Sequence, residues 1–235
     1  MADRQFPVIC VDDFYDDPYK IRDFALSCEF SKPDGNYPGE RTVPLYQINP
    51  AFFRSFCNRL FSLYFHYPEN NGVDGVGWSI DTYFQKIYPF HEDPTSPLNS
   101  GWIHKDNGFA CAGVIYLNPD SYSNAGTSFY KLKKDIFHVD ADYELRNELY
   151  AEEELDLDEY KTQQQKVNNQ YIKTVEVGNV FNRLAFYGAD IPHKENCFVA
   201  SDTEPRLTQV FFVEKIKSTL QSSPLSRIKE HEIEF

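Results

Sequence analysis

The spacing of hydrophobic positions changes character along this chain. Residues 7–12, PVICVD, form a short β-prone run and predict a strand. The next segment, DDPYKIRDFAL, carries a helix-start signal: Asp16 or Asp17 can cap, Pro18 fits the first turn, and Ile21, Phe24 and Ala25 follow at helical spacing. SKPDGNYPGERT reads as a loop from its Pro, Gly and Asn content. NPAFFRSFCNRLFSLYF predicts a second amphipathic helix with Phe53, Phe56, Leu60 and Leu63 on one stripe. From residue 77 the period shortens. GWSIDTYFQKIYPF, GFACAGVIYLN, GTSFYKL, YIKTVEVG, NRLAFYGAD and LTQVFFVEKI are short β-prone runs bounded by turn formers. They predict an antiparallel sandwich or jelly roll, with the N-terminal helices covering one outer face. Residues 131–170 break this pattern. They are acidic, then rich in Gln and Asn, and predict a helical insertion or flap between two strands.

Composition supports a folded, β-rich chain. Of 235 residues, 41% are hydrophobic, with 20 Phe and 16 Tyr, enough for a substantial core. The formal net charge of −13 and the lack of a Lys/Arg run disfavour nucleic acid as a partner. The five cysteines are scattered and form no CxxC pair, so buried reduced thiols are expected in place of a zinc knuckle or disulfide framework. No apolar run approaches the ~20 residues of a membrane span, and no leader pattern follows MADRQFPV. A soluble, cytoplasmic protein without membrane partners is the expectation.

Candidate chemistry centres on GWIHKDNGFACAGVIYLNP at 101–119. Residues two apart on a strand share a face, so His104 and Asp106 can offer an imidazole and a carboxylate to one ion. Spacing alone discriminates poorly, because His91–Asp93, His138–Asp140 and His193–Glu195 share it. Context separates them: His91 is flanked by prolines, His138 opens the acidic insertion and His193–Glu195 falls in a polar turn. His104–Asp106 directly precedes a clean apolar strand, with a turn at Gly108. A third ligand is needed, and His193 qualifies, because an aromatic strand there runs into a Pro-His corner. Two histidines and a carboxylate on one face of an iron leave positions open for substrate and oxygen. Arg206 then heads the apolar strand RLTQVFFV. A guanidinium there is costly to bury without a partner, and a carboxylate ligand would supply one.

His104-x-Asp106, Tyr116-Leu117-Asn118, Gly126-Thr127-Ser128, Asn182-Arg183-Leu184-x-Phe186, Pro192-His193 and Arg206-x-Thr208 occur in this order. Over residues 77–215 the chain thereby resembles the Fe(II)- and 2-oxoglutarate-dependent dioxygenases of prolyl-hydroxylase type, and small bacterial and phage proteins of that superfamily. The resemblance implies a double-stranded β-helix, the distorted jelly roll also known from cupins. It implies His104, Asp106 and His193 as iron ligands, and Arg206 as the anchor of the far carboxylate of 2-oxoglutarate. It gives Tyr116 a share in that anchor and lets Thr208 add a hydroxyl, with Asn107 and Gln85 as weaker lining candidates. Two departures stand out: the His193–Arg206 spacing is long for the family, and the 131–170 insertion is large.

The expected fold class is therefore α+β with a mainly β core. One oxygenase-like domain spans 1–235, with helical support over 1–70, a jelly-roll core over 77–215 and a tail over 216–235. The implied reaction is hydroxylation of a peptidyl residue, prolyl included, or of a small molecule. It is coupled to decarboxylation of 2-oxoglutarate to succinate, with ascorbate as an accessory reductant. Ligation needs neutral imidazoles, so activity should fall in acid. A catalytically silent jelly-roll binding module and a cupin-like metalloenzyme that does not use 2-oxoglutarate are the alternatives. GNYPGER at 35–41 is read as an ordered surface turn, the alternative being that it presents Arg41 to a substrate.

Overall fold

The computed structural model describes residues 8–32, 37–63, 76–136, 143–151, 156–202 and 204–218. Strand β1 (Ile9–Val11) leads into helix α1 (Pro18–Ser27), capped by Asp17, whose carboxylate accepts from the Lys20 amide at 3.1 Å. The loop predicted at 31–42 contains a two-residue edge strand, β2 (Glu40–Arg41), and the short helix α2 (Leu45–Ile48) follows. Asn49 caps α3 (Pro50–Ser62) by accepting from the Phe52 amide. The apolar stripe is rotated from the one predicted: Phe56, Cys57, Leu60 and Phe61 are buried, whereas Leu63 ends the helix exposed.

The six predicted β runs all form strands: β3 (Val76–Ile87), β4 (Cys111–Tyr116), β5 (Thr127–Leu132), then, beyond the insertion helices α4 (Tyr143–Tyr150) and α5 (Leu157–Asn168), β6 (Tyr171–Val177) and β7 (Leu184–Gly188), and finally β9 (Arg206–Ser218). Between the last two lies β8 (His193–Glu195), which the polar sequence of its three residues concealed. Residues 216–218, expected in the tail, extend β9 and pair with β3. His138 lies outside the described residues, and His91 sits in an exposed loop where its ring accepts from the Asp93 amide.

The strands form mainly antiparallel sheets, in keeping with an α+β class. One has the order β1-β7-β4-β9-β3-β2, and the other β6-β5-β8. Alternation along the strands divides the large sheet into two working faces. Ile115, Leu184, Phe186, Leu207, Phe211, Phe84 and Ile80 point toward α1 and α3, where they meet Phe14, Phe56, Leu60 and Phe61 in one cluster. Ala112, Val114, Tyr116, Ala185 and Tyr187 occupy the opposite face and pack with Phe129 and Val177 of the small sheet. The helices therefore do cover one face, leaving the other to build a site. Gly113 is required on the helix-facing side: a Cβ there would lie 2.3 Å from the Phe211 ring and 2.7 Å from the Ala185 carbonyl oxygen.

The insertion packs through Leu145, Tyr150, Tyr160 and Val167 onto Leu98 and Trp102. It is thus docked beside the segment that carries His104. Among the described residues, no helix is long and apolar enough to cross a membrane. All five cysteines are free, as expected; Cys57 and Cys111 are buried, but Cys10 is exposed.

Phe56 joins α3 to the sheet, with its ring 5.3 Å from that of Phe211 and 6.2 Å from that of Phe14. Phe56→Ala should lower unfolding stability by about 3–5 kcal/mol, as read from urea denaturation. A loss below about 1 kcal/mol would mean that the helices are not held by this cluster.

Candidate metal centre

Residues 101–106 run alongside β8 as an extended segment. Gly101 donates its amide to the Glu195 carbonyl, and His104 and His193 exchange two backbone hydrogen bonds of 3.0 and 2.9 Å. The Asp106 amide is fixed on the Ala189 carbonyl at 3.0 Å, and the chain then turns at Gly108, whose φ is +92°. A side chain at Gly101 would drive a Cβ to 2.4 Å from the Glu195 carboxylate. The backbone pairing is therefore close, and it brings together two histidines distant in sequence.

The ligand-bearing atoms of His104, Asp106 and His193 all lie within 4.8 Å of one another. His104 Nδ1 is 2.7 Å from the Trp102 carbonyl oxygen, and His193 Nδ1 is 2.9 Å from that of Ile191. A carbonyl can only accept, so both Nδ1 atoms are the donors. Neutral imidazoles in that tautomer present bare Nε2 lone pairs, the arrangement that orients metal-ligating histidines. His104 Nε2 is 3.8 Å from Asp106 Oδ1, and His193 Nε2 is 3.3 Å from Asp106 Oδ2. A bare Nε2 cannot donate, so the buried Oδ2 is left without a hydrogen-bond partner. An acceptor orphaned in this way fits a cation between the three side chains.

The electrostatics agree. Burial alone would raise the Asp106 carboxyl, but the His193 charge, with His104 and Arg41 beyond, holds it at about 2. Burial and the neighbouring His193 push His104 down, which favours the neutral, ligating form. Burial pulls His193 down as well, but the Asp106 charge outweighs it and the net direction is upward. A divalent ion would take the place of that proton.

The triad opens into a cavity of about 490 Å³ that Arg206 also lines. Arg206 is 2% exposed, its Nε donates to the Ala125 carbonyl at 3.1 Å, and its guanidinium lies 5.6 Å from the Tyr116 ring centroid. Among the described residues no carboxylate is within salt-bridge distance of it. Two supports locate this arginine. Asn118 accepts from the Leu207 amide at 2.7 Å and donates to the Pro205 carbonyl, clamping the start of β9. Gly126 permits the approach of β6, since a Cβ there would lie 1.9 Å from the Val177 carbonyl oxygen.

Tyr116 and Thr208 are cross-strand partners behind the cavity wall. The Tyr116 hydroxyl donates to Thr127 Oγ1 at 2.9 Å, and it is Thr127 that lines the cavity. Thr208 is fully buried, and its hydroxyl has no hydrogen-bond partner. Gln85 and Asn107 both line the cavity. Sequence reasoning passed over Tyr187, whose ring packs 4.6 Å from that of His193, and Glu195, which faces the cavity two residues after His193. Both follow from alternation: Tyr187 shares a face with Ala185, and Glu195 with His193. Arg41, expected in a surface turn, also lines the cavity, as do Arg146 and Tyr150 of α4.

Several solved structures share this fold at low sequence identity. EvdO2 from Micromonospora carbonacea var. aurantiaca, complexed with 2-oxoglutarate, is 10% identical with a TM-score of 0.52, the match covering 92% of this chain and 90% of that one. HygX from Streptomyces hygroscopicus, with nickel, 2-oxoglutarate and hygromycin B bound, is 12% identical with a TM-score of 0.51 over 93% and 85% of the two chains. The epimerase SnoN, in complex with Fe3+, alpha ketoglutarate and nogalamycin RO, is 12% identical with a TM-score of 0.51 over 96% and 85%. A search of curated protein sequences finds no match. A family model described as "Family of unknown function (DUF6445)" matches residues 1–213, and the chain belongs to that family.

Proposed function

We propose that this protein is an Fe(II)- and 2-oxoglutarate-dependent oxygenase, built as one unit on a double-stranded β-helix and acting in the cytoplasm. The observation that carries this reading is the convergence of His104, Asp106, His193 and Arg206 on one cavity. Two histidines and one carboxylate, with the remaining positions open, are the donor set of non-haem iron oxygenases. The neighbours crystallised with 2-oxoglutarate and nickel or iron support the same reading by fold-level analogy.

His104, Asp106 and His193 would hold the iron, and Arg206 would receive the far carboxylate of 2-oxoglutarate. The bound iron and 2-oxo acid supply the oxidising chemistry, with O2 consumed and succinate and carbon dioxide released as the substrate is hydroxylated. The chain's own groups do the rest. The Trp102 and Ile191 carbonyls fix both imidazole tautomers. Arg206 is held side-on by the Ala125 carbonyl, which leaves its other edge for a carboxylate. Tyr116 acts through Thr127, and the Thr208 hydroxyl is available beneath the same subsite. Tyr187 packs against His193 and restricts its ring. Ascorbate is proposed as the accessory reductant. The substrate is a small molecule or a single peptidyl side chain, prolyl among them; a cavity of about 490 Å³ falls within the usual small-ligand range.

Removing the carboxylate at the centre of the triad should abolish metal binding. Asp106→Ala is expected to weaken Co(II) affinity by at least about 100-fold in calorimetric titration. Near-normal affinity would move the metal elsewhere. Arg206→Ala should bind Co(II) as the parent does yet lose 2-oxoglutarate affinity by about 100-fold. Retained 2-oxoglutarate binding would remove Arg206 as the anchor and favour an enzyme that uses no 2-oxo acid.

A further inference from the structure

Besides Arg206, the side chains of Arg41 and Arg146 line the candidate cavity, and the proposed reaction uses neither. Arg41 lies on the edge strand β2, opposite Gln85 of β3, whereas Arg206 lies on β9 beyond β3. Two strand spacings separate their backbones laterally, roughly 10 Å. Both side chains line the cavity that contains the triad.

Arg41 is built in. Its Nε and Nη2 both donate to Gln85 Oε1, at 3.2 and 3.1 Å, and Gln85 Nε2 donates in turn to the Pro38 carbonyl at 2.7 Å. The guanidinium stacks 3.6 Å from the Tyr37 ring centroid and lies 5.7 and 5.3 Å from those of Tyr83 and Phe212. This holds the planar group at one orientation. Its hydrogen-bond acceptor is a neutral amide, and among the described residues no carboxylate lies within salt-bridge distance. Gln85 occupies the side-on edge, which leaves the end-on Nη1/Nη2 edge without a partner among the described residues. That edge is the fork that receives a carboxylate through two parallel hydrogen bonds.

A structural role alone does not account for this. An arginine placed only to stack on Tyr37 would gain from an acidic partner, and the chain has 36 acidic residues. Desolvation lowers its affinity for its own proton to about 10, a cost that an anionic ligand would offset. The lining of the same cavity includes Tyr83, Phe109, Tyr187 and Phe212, aromatic surfaces suited to an apolar ligand body, alongside the carboxylates of Asp81 and Glu195.

We infer that Arg41 is the substrate-recognition residue of this cavity, and that the substrate is an organic acid whose carboxylate docks on Arg41 while its apolar body extends toward the metal triad. This rests on the oxygenase reading above and gives that site a substrate class. Arg206 and Arg41 then divide the work: Arg206 takes the 2-oxo acid and Arg41 takes the acid to be oxidised.

The probe is 3-phenylpropionate, with 3-phenylpropanamide as the uncharged isostere, titrated calorimetrically into full-length protein saturated with Co(II) and 2-oxoglutarate. The parent should bind the carboxylate at least about ten-fold more tightly than the amide. Arg41→Gln should bind the carboxylate roughly 10- to 100-fold more weakly and lose the preference, with Arg41→Lys intermediate because it keeps the charge without the fork. Circular dichroism and retained Co(II) binding establish that the variants are folded. The inference is overturned if the parent binds neither probe, if it binds both equally, or if Arg41→Gln retains the preference. It also falls if Arg41→Gln loses 2-oxoglutarate, since Arg41 would then anchor the cosubstrate. If the parent takes up no 2-oxoglutarate at all, the oxygenase reading fails, and the probe titration with Co(II) alone still decides whether Arg41 selects a carboxylate.

Discussion

Two backbone hydrogen bonds between His104 and His193 are the constraint on which the candidate site depends. They join an extended segment that precedes β4 to a three-residue strand that follows β7. They fix the separation of the two imidazoles before any side-chain interaction acts. Backbone pairing of this kind is favourable because it satisfies groups that cannot be left buried and unpaired. The side chains then need short-range direction alone, supplied by the Trp102 and Ile191 carbonyls. Asp106 completes the set because its own amide is tied to Ala189, one residue beyond the β7 end of the same frame.

The large sheet makes this frame rigid. Its helix-facing side is filled by aromatic and branched residues packed on α1 and α3, so the opposite side can carry costly polar groups. Arg206, Thr208 and Gln85 are all buried there. Each is expensive to desolvate, and each is tolerable because the hydrophobic face offsets the cost. The segments between strands serve the same end. Asn182, at φ +64°, exchanges side-chain hydrogen bonds with the Tyr15 backbone, and its own amide donates to the Tyr116 carbonyl, pinning the N-terminal segment to the sheet. Asn118 clamps the start of β9 in the same manner.

Much of this was legible in the sequence, for identifiable reasons. Short apolar runs bounded by turn formers mark β3, β4, β7 and β9, a capping residue with a following proline marks α1, and an amphipathic stripe marks α3. The triad could be read because His104-x-Asp106 abuts a strand and His193 follows a Pro corner. β8 and β2 could not be read that way, because strands of three and two polar residues exist through their partners alone and carry no periodicity. The surface-turn reading of Arg41 outweighed the substrate-facing one for the same reason: a Pro/Gly-rich turn signals local geometry and says nothing of what packs over it. Tyr116 matched a family position, yet its hydroxyl is engaged by Thr127, a contact across 11 residues that no local pattern encodes. Motif fragments such as Tyr-Leu-Asn and Gly-Thr-Ser acquire meaning in three dimensions, as supports that hold Arg206.

The central claim is that His104, Asp106 and His193 form an iron site open to a 2-oxo acid. Anaerobic titration of the protein with Fe(II) and 2-oxoglutarate, followed by visible absorption, tests it most directly. The account predicts a weak charge-transfer absorption that appears only when both are present. Iron binding with no such absorption on adding 2-oxoglutarate, or no binding of either, would contradict it.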